Sequence, residues 1–256
     1  MPPIDRQGDQ LGSANTCRAM ADKSNAVWHL LLTRFSVLIS PDAAPPSDDW
    51  LRDRLDLFRR YAVPSVCAQN VWPDGWLVFC SQLSDWLQHE LDQIQQDVPF
   101  LKAVSIDGEL TLEAARSAVR SEVPKGAEKL TTTRLDSDDA ISQGYLEAVR
   151  IAAQRANSEF LNATHGLQLH KGRLYHRSDP SNAFISFVEP AESPKTVFVG
   201  GHHELAQFGL IRQFGGRAMW LQVVHGGNVS NQVSGCRRRL NTHPPWPVEI
   251  APTLSG

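Results

Sequence analysis

The chain has 256 residues, 41% hydrophobic and 21% charged, which is enough apolar material for one core of enzyme size and too much for a wholly disordered polymer. A formal net charge of -3 gives no general pull toward nucleic acid or anionic lipid, so a nucleic-acid partner is not expected. The four cysteines, Cys17, Cys67, Cys80 and Cys236, are far apart, without metal-type pairing, and no run approaches the length of a membrane span. These features point to a reducing, cytoplasmic setting, with peripheral contact to a membrane left open.

In chain order, residues 1–25 are polar, lack the apolar centre of a secretory signal and read as a disordered tail, leaving residues 26–256 as a single domain. Residues 27–40 carry Leu30, Leu31, Leu32, Phe35 and Leu38, a run apolar on both faces that predicts a central strand. Ser47 then caps a helix with Trp50, Leu51, Leu55, Phe58 and Ala62 at helical spacing, expected to stop before Pro64. Residues 76–80 predict a second strand and 85–94 a second helix bearing Trp86, Leu87, Leu91 and Ile94. Residues 100–106 predict a third strand, Thr111 caps a third helix, and 129–135 predict a fourth strand.

Strand alternating with helix in this way predicts an α/β fold with an open, mainly parallel sheet and helices on both faces. Ligands of such sheets lie beyond the carboxyl ends of the strands, which places Asp136, Ser137, Asp138 and Asp139 at the functional edge. Ile141, Tyr145, Val149 and Ala152 form a helical stripe after that cluster. Beyond it, short runs at 184–188, 196–199 and 219–224 separated by Gly and Pro predict a smaller mixed C-terminal subregion.

Three carboxylates in one tight turn repel one another, and a hard divalent ion shared with a substrate's phosphates relieves that repulsion; Mn²⁺ and Mg²⁺ are the expected candidates. Acidic residues also favour helix N-termini for their own sake, so spacing alone leaves both readings open. Uneven spacing of His165, His170 and His176 gives no zinc pattern. Arg34 and Arg134 fall near strand ends on the predicted edge, and the run of arginines at 237–239 offers either a diphosphate contact or a solvated face.

The stretch Thr132-Thr133-Arg134-Leu135-Asp136-Ser137-Asp138-Asp139-Ala140 resembles the signature of the putative rhamnosyltransferases, which are similar to nucleotide-sugar glycosyltransferases of the GT-A type. Thr33-Arg34-Phe35, Ser181-Asn182-Ala183-Phe184 with Val188-Glu189, and Trp220-Leu221-Gln222-Val223-Val224-His225-Gly226-Gly227-Asn228 extend the resemblance over most of the chain. The resemblance implies metal-dependent transfer of a sugar, rhamnose being the one the family name suggests, from a nucleoside-diphosphate donor to a hydroxyl acceptor with inversion. It implies Asp136, Asp138 and His225 as metal ligands and Thr33, Arg34, Arg134 and Asp136 as donor contacts. Glu189 is the expected catalytic base, with Asp179 in reserve. The acceptor stays open among a glycan, a lipid-linked sugar and a small molecule. A metal-dependent nucleotidyltransferase or phosphohydrolase and a non-catalytic nucleotide-sugar-binding module are the alternatives.

Overall fold

The computed structural model describes residues 27–226, apart from Ile39, Pro41 and Gln82, together with Val233. The expected tail at 1–25, Gly227, Asn228 and the arginine run at 237–239 lie outside the described residues.

Strand β1 (Trp28–Ser36) is central because Leu30, Leu31 and Leu32 are all buried, which requires cover on both sides. It pairs in parallel with β2 (Gly75–Ser81) on one side and β4 (Lys129–Arg134) on the other. Strand β3 (Leu101–Ile106) extends the sheet in parallel beyond β2. Three strands from the second half complete the sheet. Strand β9 (Ser186–Pro190) runs antiparallel between β4 and β6 (Glu159–Ala163), and β10 (Ile211–Phe214) lies parallel to β6 at the edge. The order is β10-β6-β9-β4-β1-β2-β3, the mostly parallel sheet that the strand patterns predict.

The two parities of each central strand feed two cores. Leu31, Phe35, Trp76 and Val78 face α1 (Asp48–Leu57), α3 (Asp85–Asp97) and α5 (Tyr145–Gln154), whereas Leu30, Leu32, Leu77 and Phe79 face α4 (Leu112–Glu122) and the segment around Val197 and Leu205. Helix α1 starts where Ser47 Oγ accepts the N–H of Trp50 at 3.3 Å, and Asp48 and Asp49 suit its positive end. Thr111 caps α4 in the same way, accepting from Ala114 at 3.1 Å.

Pro64 does not end the first helix. Residues Phe58–Ala62 widen into a π-helical turn, and a fresh α segment, α2 (Val63–Cys67), begins with the proline in its first turn, where no N–H is required. Ile141 also departs from expectation: with Ala140 it forms the short β5 (Ala140–Ile141), and the helix begins only at Tyr145. The segment at 196–199 contains a single 3-10 turn, Val197–Val199, rather than a strand.

The smaller subregion is a second sheet of order β5-β11-β7-β8, where β7 (His165–His170) and β8 (Arg173–Ser178) form a hairpin and β11 (Trp220–Val224) lies parallel to β7. Its seat on the main body is Trp220, whose indole stacks on Phe184 at 5.0 Å and donates to the carbonyl of Ala163 at 2.7 Å. The small sheet thereby holds the end of β11 over the end of β4. Among the described residues no helix is long and apolar enough to cross a membrane.

Candidate active site

The acidic turn leaves β4 at the carboxyl edge of the main sheet. Thr33 sits beneath it, fully buried, donating to the carbonyl of Leu135 at 2.7 Å and accepting the indole N–H of Trp76 at 2.8 Å. Both capacities of its hydroxyl are used inside the protein, so Thr33 fixes the start of the turn from β1 and does not face a ligand, contrary to the expectation of a donor contact.

Arg134, the last residue of β4, chelates Asp136 through Nε at 3.0 Å and Nη2 at 2.7 Å. Burial opposes ionisation of Asp136, but the Arg134 guanidinium, its hydrogen bonds and Arg34 outweigh it and hold the carboxyl below its usual range. Arg34 Nη2 is 4.0 Å from Asp136 Oδ1, with its guanidinium 5.6 Å from the Phe198 ring centroid. His202 closes this side, its Nδ1 3.5 Å from Arg134 Nη1; burial first, then Arg134 and His203, lowers its pKa to about 4 and keeps the ring neutral.

Asp138 belongs to a different set of partners. Its side chain is 5% exposed, and Oδ2 lies 2.9 Å from both His225 Nε2 and Arg54 Nη1. A carboxylate only accepts, so the imidazole donates from Nε2 in this arrangement. Ser137 Oγ accepts a longer bond, 3.5 Å, from the same Arg54 nitrogen. Asp139 turns inward: Oδ1 accepts the N–H of Val223 at 2.8 Å, and burial, with Asp138 and Asp136 close by, pushes the carboxyl well above the usual range. Asp139 is a strut between the turn and β11.

The structure therefore brings Arg34, Arg134, Asp136, Asp138 and His225 to one edge. It does not bring Glu189 there. Glu189 is opposite Leu130 in the β4–β9 register, four positions before Arg134 and about 13 Å back along the strand. Its two oxygens accept the N–H groups of Lys195 at 2.6 Å and Thr196 at 2.9 Å. A carboxylate so engaged anchors the 195–196 turn and is not placed as a base. Asp179 lies instead in the segment that enters β9 at the functional edge, held by Arg177 Nη2 at 2.6 Å and the N–H of Ser181 at 3.0 Å. Ser181 donates to the carbonyl of His202, which ties this segment to the Arg134 side of the site.

Arg54 was not among the residues the sequence singled out. It is in the last turn of an amphipathic helix, where arginine most often faces solvent, and the one local signal was Trp50 a turn earlier, over whose ring its guanidinium rests at 4.7 Å.

Repulsion within the turn is thus relieved by Arg134 at Asp136 and Arg54 at Asp138, and at Asp139 by the upward push on its carboxyl, which favours the protonated form. Among the described residues no group of three or more His, Cys, Asp or Glu is arranged to hold a metal ion. The pair Asp138–His225 would fit one once His225 gives up the Nε2 proton that it donates to Asp138. Two ligands at about 2.1 Å from an ion and at right angles stand about 3 Å apart, and Mg²⁺- or Mn²⁺-type sites use one or two protein ligands with substrate phosphates supplying the rest. Their oxygen and nitrogen are 2.9 Å apart.

The acidic turn and the late histidine thus meet at the carboxyl edge of an open α/β sheet, where such sheets receive ligands. A profile of the family described as putative rhamnosyl transferase matches residues 29–237, and the chain belongs to that family. Solved structures with a similar arrangement include Staphylococcus aureus TarS, at 9% identity over 78% of this chain and 37% of that one, with a TM-score of 0.45. TarS residues 1–349 in complex with UDP align at 11% identity over 78% of this chain and 61% of that one, with a TM-score of 0.46. GalNAc-T7 with UDP, GalNAc and Mn²⁺ aligns at 10% identity over 79% of this chain and 45% of that one, with a TM-score of 0.49. The chain thus spans between 37% and 61% of the length of these proteins. No curated protein matches it.

Proposed function

We propose that this chain, acting through one domain over residues 26–256 in the cytoplasm, transfers a sugar from a nucleoside diphosphate to a hydroxyl acceptor, with rhamnose as the sugar the family description favours. The observation that carries the reading is the meeting of Asp138 with His225 at 2.9 Å, because it joins the acidic turn to the late histidine where an open sheet receives ligands. UDP and Mn²⁺ in the GalNAc-T7 complex support a nucleotide and a divalent ion in the same role here.

Asp138 and His225 would hold the ion, His225 after losing its Nε2 proton, and Asp136 would share it only if Arg134 released an oxygen. When bound, the ion supplies Lewis-acid stabilisation of the departing diphosphate. Arg34, the more exposed guanidinium, meets the donor's anionic part first, and Arg134 keeps Asp136 ionised and aimed at the edge. Inversion requires a base on the far side of the sugar from the leaving group. Asp179 is nearer the functional edge than Glu189, because its loop enters β9 there, and it takes that role only when Arg177 or the Ser181 N–H releases one of its oxygens.

The test is a panel of nucleotide sugars with Mn²⁺, Mg²⁺ or chelator, reading the nucleotide product. A transferase releases a nucleoside diphosphate. Release of pyrophosphate or inorganic phosphate instead moves the assignment to a nucleotidyltransferase or phosphohydrolase, and the absence of any turnover with bound nucleotide moves it to a binding module.

A further inference from the structure

We propose that Arg54 is a positioning residue that holds Asp138 until the donor arrives and then follows the donor's diphosphate, so that nucleotide and divalent cation bind cooperatively. This rests on reading the acidic turn as a cation and diphosphate site. Arg54 Nη1 and His225 Nε2 share one oxygen, Asp138 Oδ2, each at 2.9 Å. A cation held by Asp138 and His225 therefore stands directly against a guanidinium that is only 12% exposed and carries a permanent charge.

Without a diphosphate nearby, the two positive charges oppose each other and Arg54 competes with the cation for Asp138. A diphosphate beside the cation changes the balance. Its oxygens offer the planar fork a bidentate partner of matching geometry, and the guanidinium can turn toward them while remaining over the Trp50 ring. Arg134 has no such freedom, being committed to both oxygens of Asp136. Ser137, whose hydroxyl also accepts from Arg54, keeps the side chain beside the turn as it moves. By linkage, the factor by which nucleotide tightens the cation is the factor by which the cation tightens nucleotide.

The experiment measures the affinity of Mn²⁺ alone, and of UDP and dTDP alone, for the unaltered protein, Arg54→Gln and Arg54→Lys, with circular dichroism and melting temperature to verify the fold. Arg54→Gln is expected to tighten Mn²⁺ alone by about tenfold and to weaken the nucleoside diphosphate by about tenfold. Arg54→Lys, which keeps the charge but not the fork, is expected to leave Mn²⁺ within about twofold and to weaken the nucleotide. An arginine with a purely structural role weakens both ligands together, and that result, or unchanged Mn²⁺ affinity in folded Arg54→Gln, overturns the proposal. If Arg54→Gln does not fold, Arg54→Lys decides: unchanged Mn²⁺ affinity with weaker nucleotide supports it, and any other pattern overturns it. Failure of the unaltered protein to bind Mn²⁺, with or without nucleotide, overturns the underlying cation reading instead.

Discussion

Nε2 of His225 lies 2.9 Å from Oδ2 of Asp138, although 87 positions separate the two residues in the chain. What sets that distance is β11, whose Val223 N–H is bound by Asp139 and whose first residue, Trp220, is wedged between Phe184 and Gly166.

Gly166 therefore offers a remote test of the site. A Cβ there would lie 2.0 Å from the Trp220 ring, which cannot give way without leaving its stack on Phe184. Gly166→Ala is expected to cost about 1–3 kcal/mol through overpacking. Urea denaturation measures that loss, and a parallel fall in Mn²⁺ affinity shows that His225 has moved with the strand.

Glu189 separates anchoring from catalysis. Glu189→Gln replaces one accepting oxygen with an NH₂ group and leaves the N–H of Lys195 or Thr196 unpaired, at a cost of about 1–3 kcal/mol. Turnover per folded molecule and its pH profile are expected to stay within about twofold of the unaltered enzyme. Steady-state kinetics alongside chemical denaturation distinguish this from loss of a base.

Acid stability should depend on His29. Burial first, then Arg150, lowers its pKa from 6.5 to about 3, while the unfolded chain takes up the proton near 6.5. The neutral ring, bound to Thr133 Oγ1 at 2.7 Å, therefore contributes stability that is fully present above 6.5 and is lost progressively as the pH falls toward 3. Melting temperature measured across that window should fall less steeply in His29→Gln than in the unaltered protein.

The central sheet was legible in the residues because β1 and β2 are buried on both faces and their apolar runs have no competing explanation. The later strands were harder to read, since Glu159, Asn162, Gln168 and Gln222 are polar yet buried, each satisfied by partners distant in sequence. Pro64 misled for a local reason: a π turn resets the hydrogen-bond register just before it. At the site, the acidic turn and His225 stood out by residue type and strand context. Arg54, Asp139 and Glu189 did not reveal their roles, because an ordinary arginine or carboxylate becomes a clamp, a strut or an anchor only through a partner that folding brings to it.

The most direct measurement is release of nucleoside diphosphate from the preferred nucleotide sugar by the unaltered protein, Asp138→Ala and His225→Ala, each with Mn²⁺ and with chelator. Metal-dependent release is expected in the unaltered protein, to be abolished in Asp138→Ala and weakened in His225→Ala. Equal release by folded Asp138→Ala, or release indifferent to chelator in all three, would contradict the account.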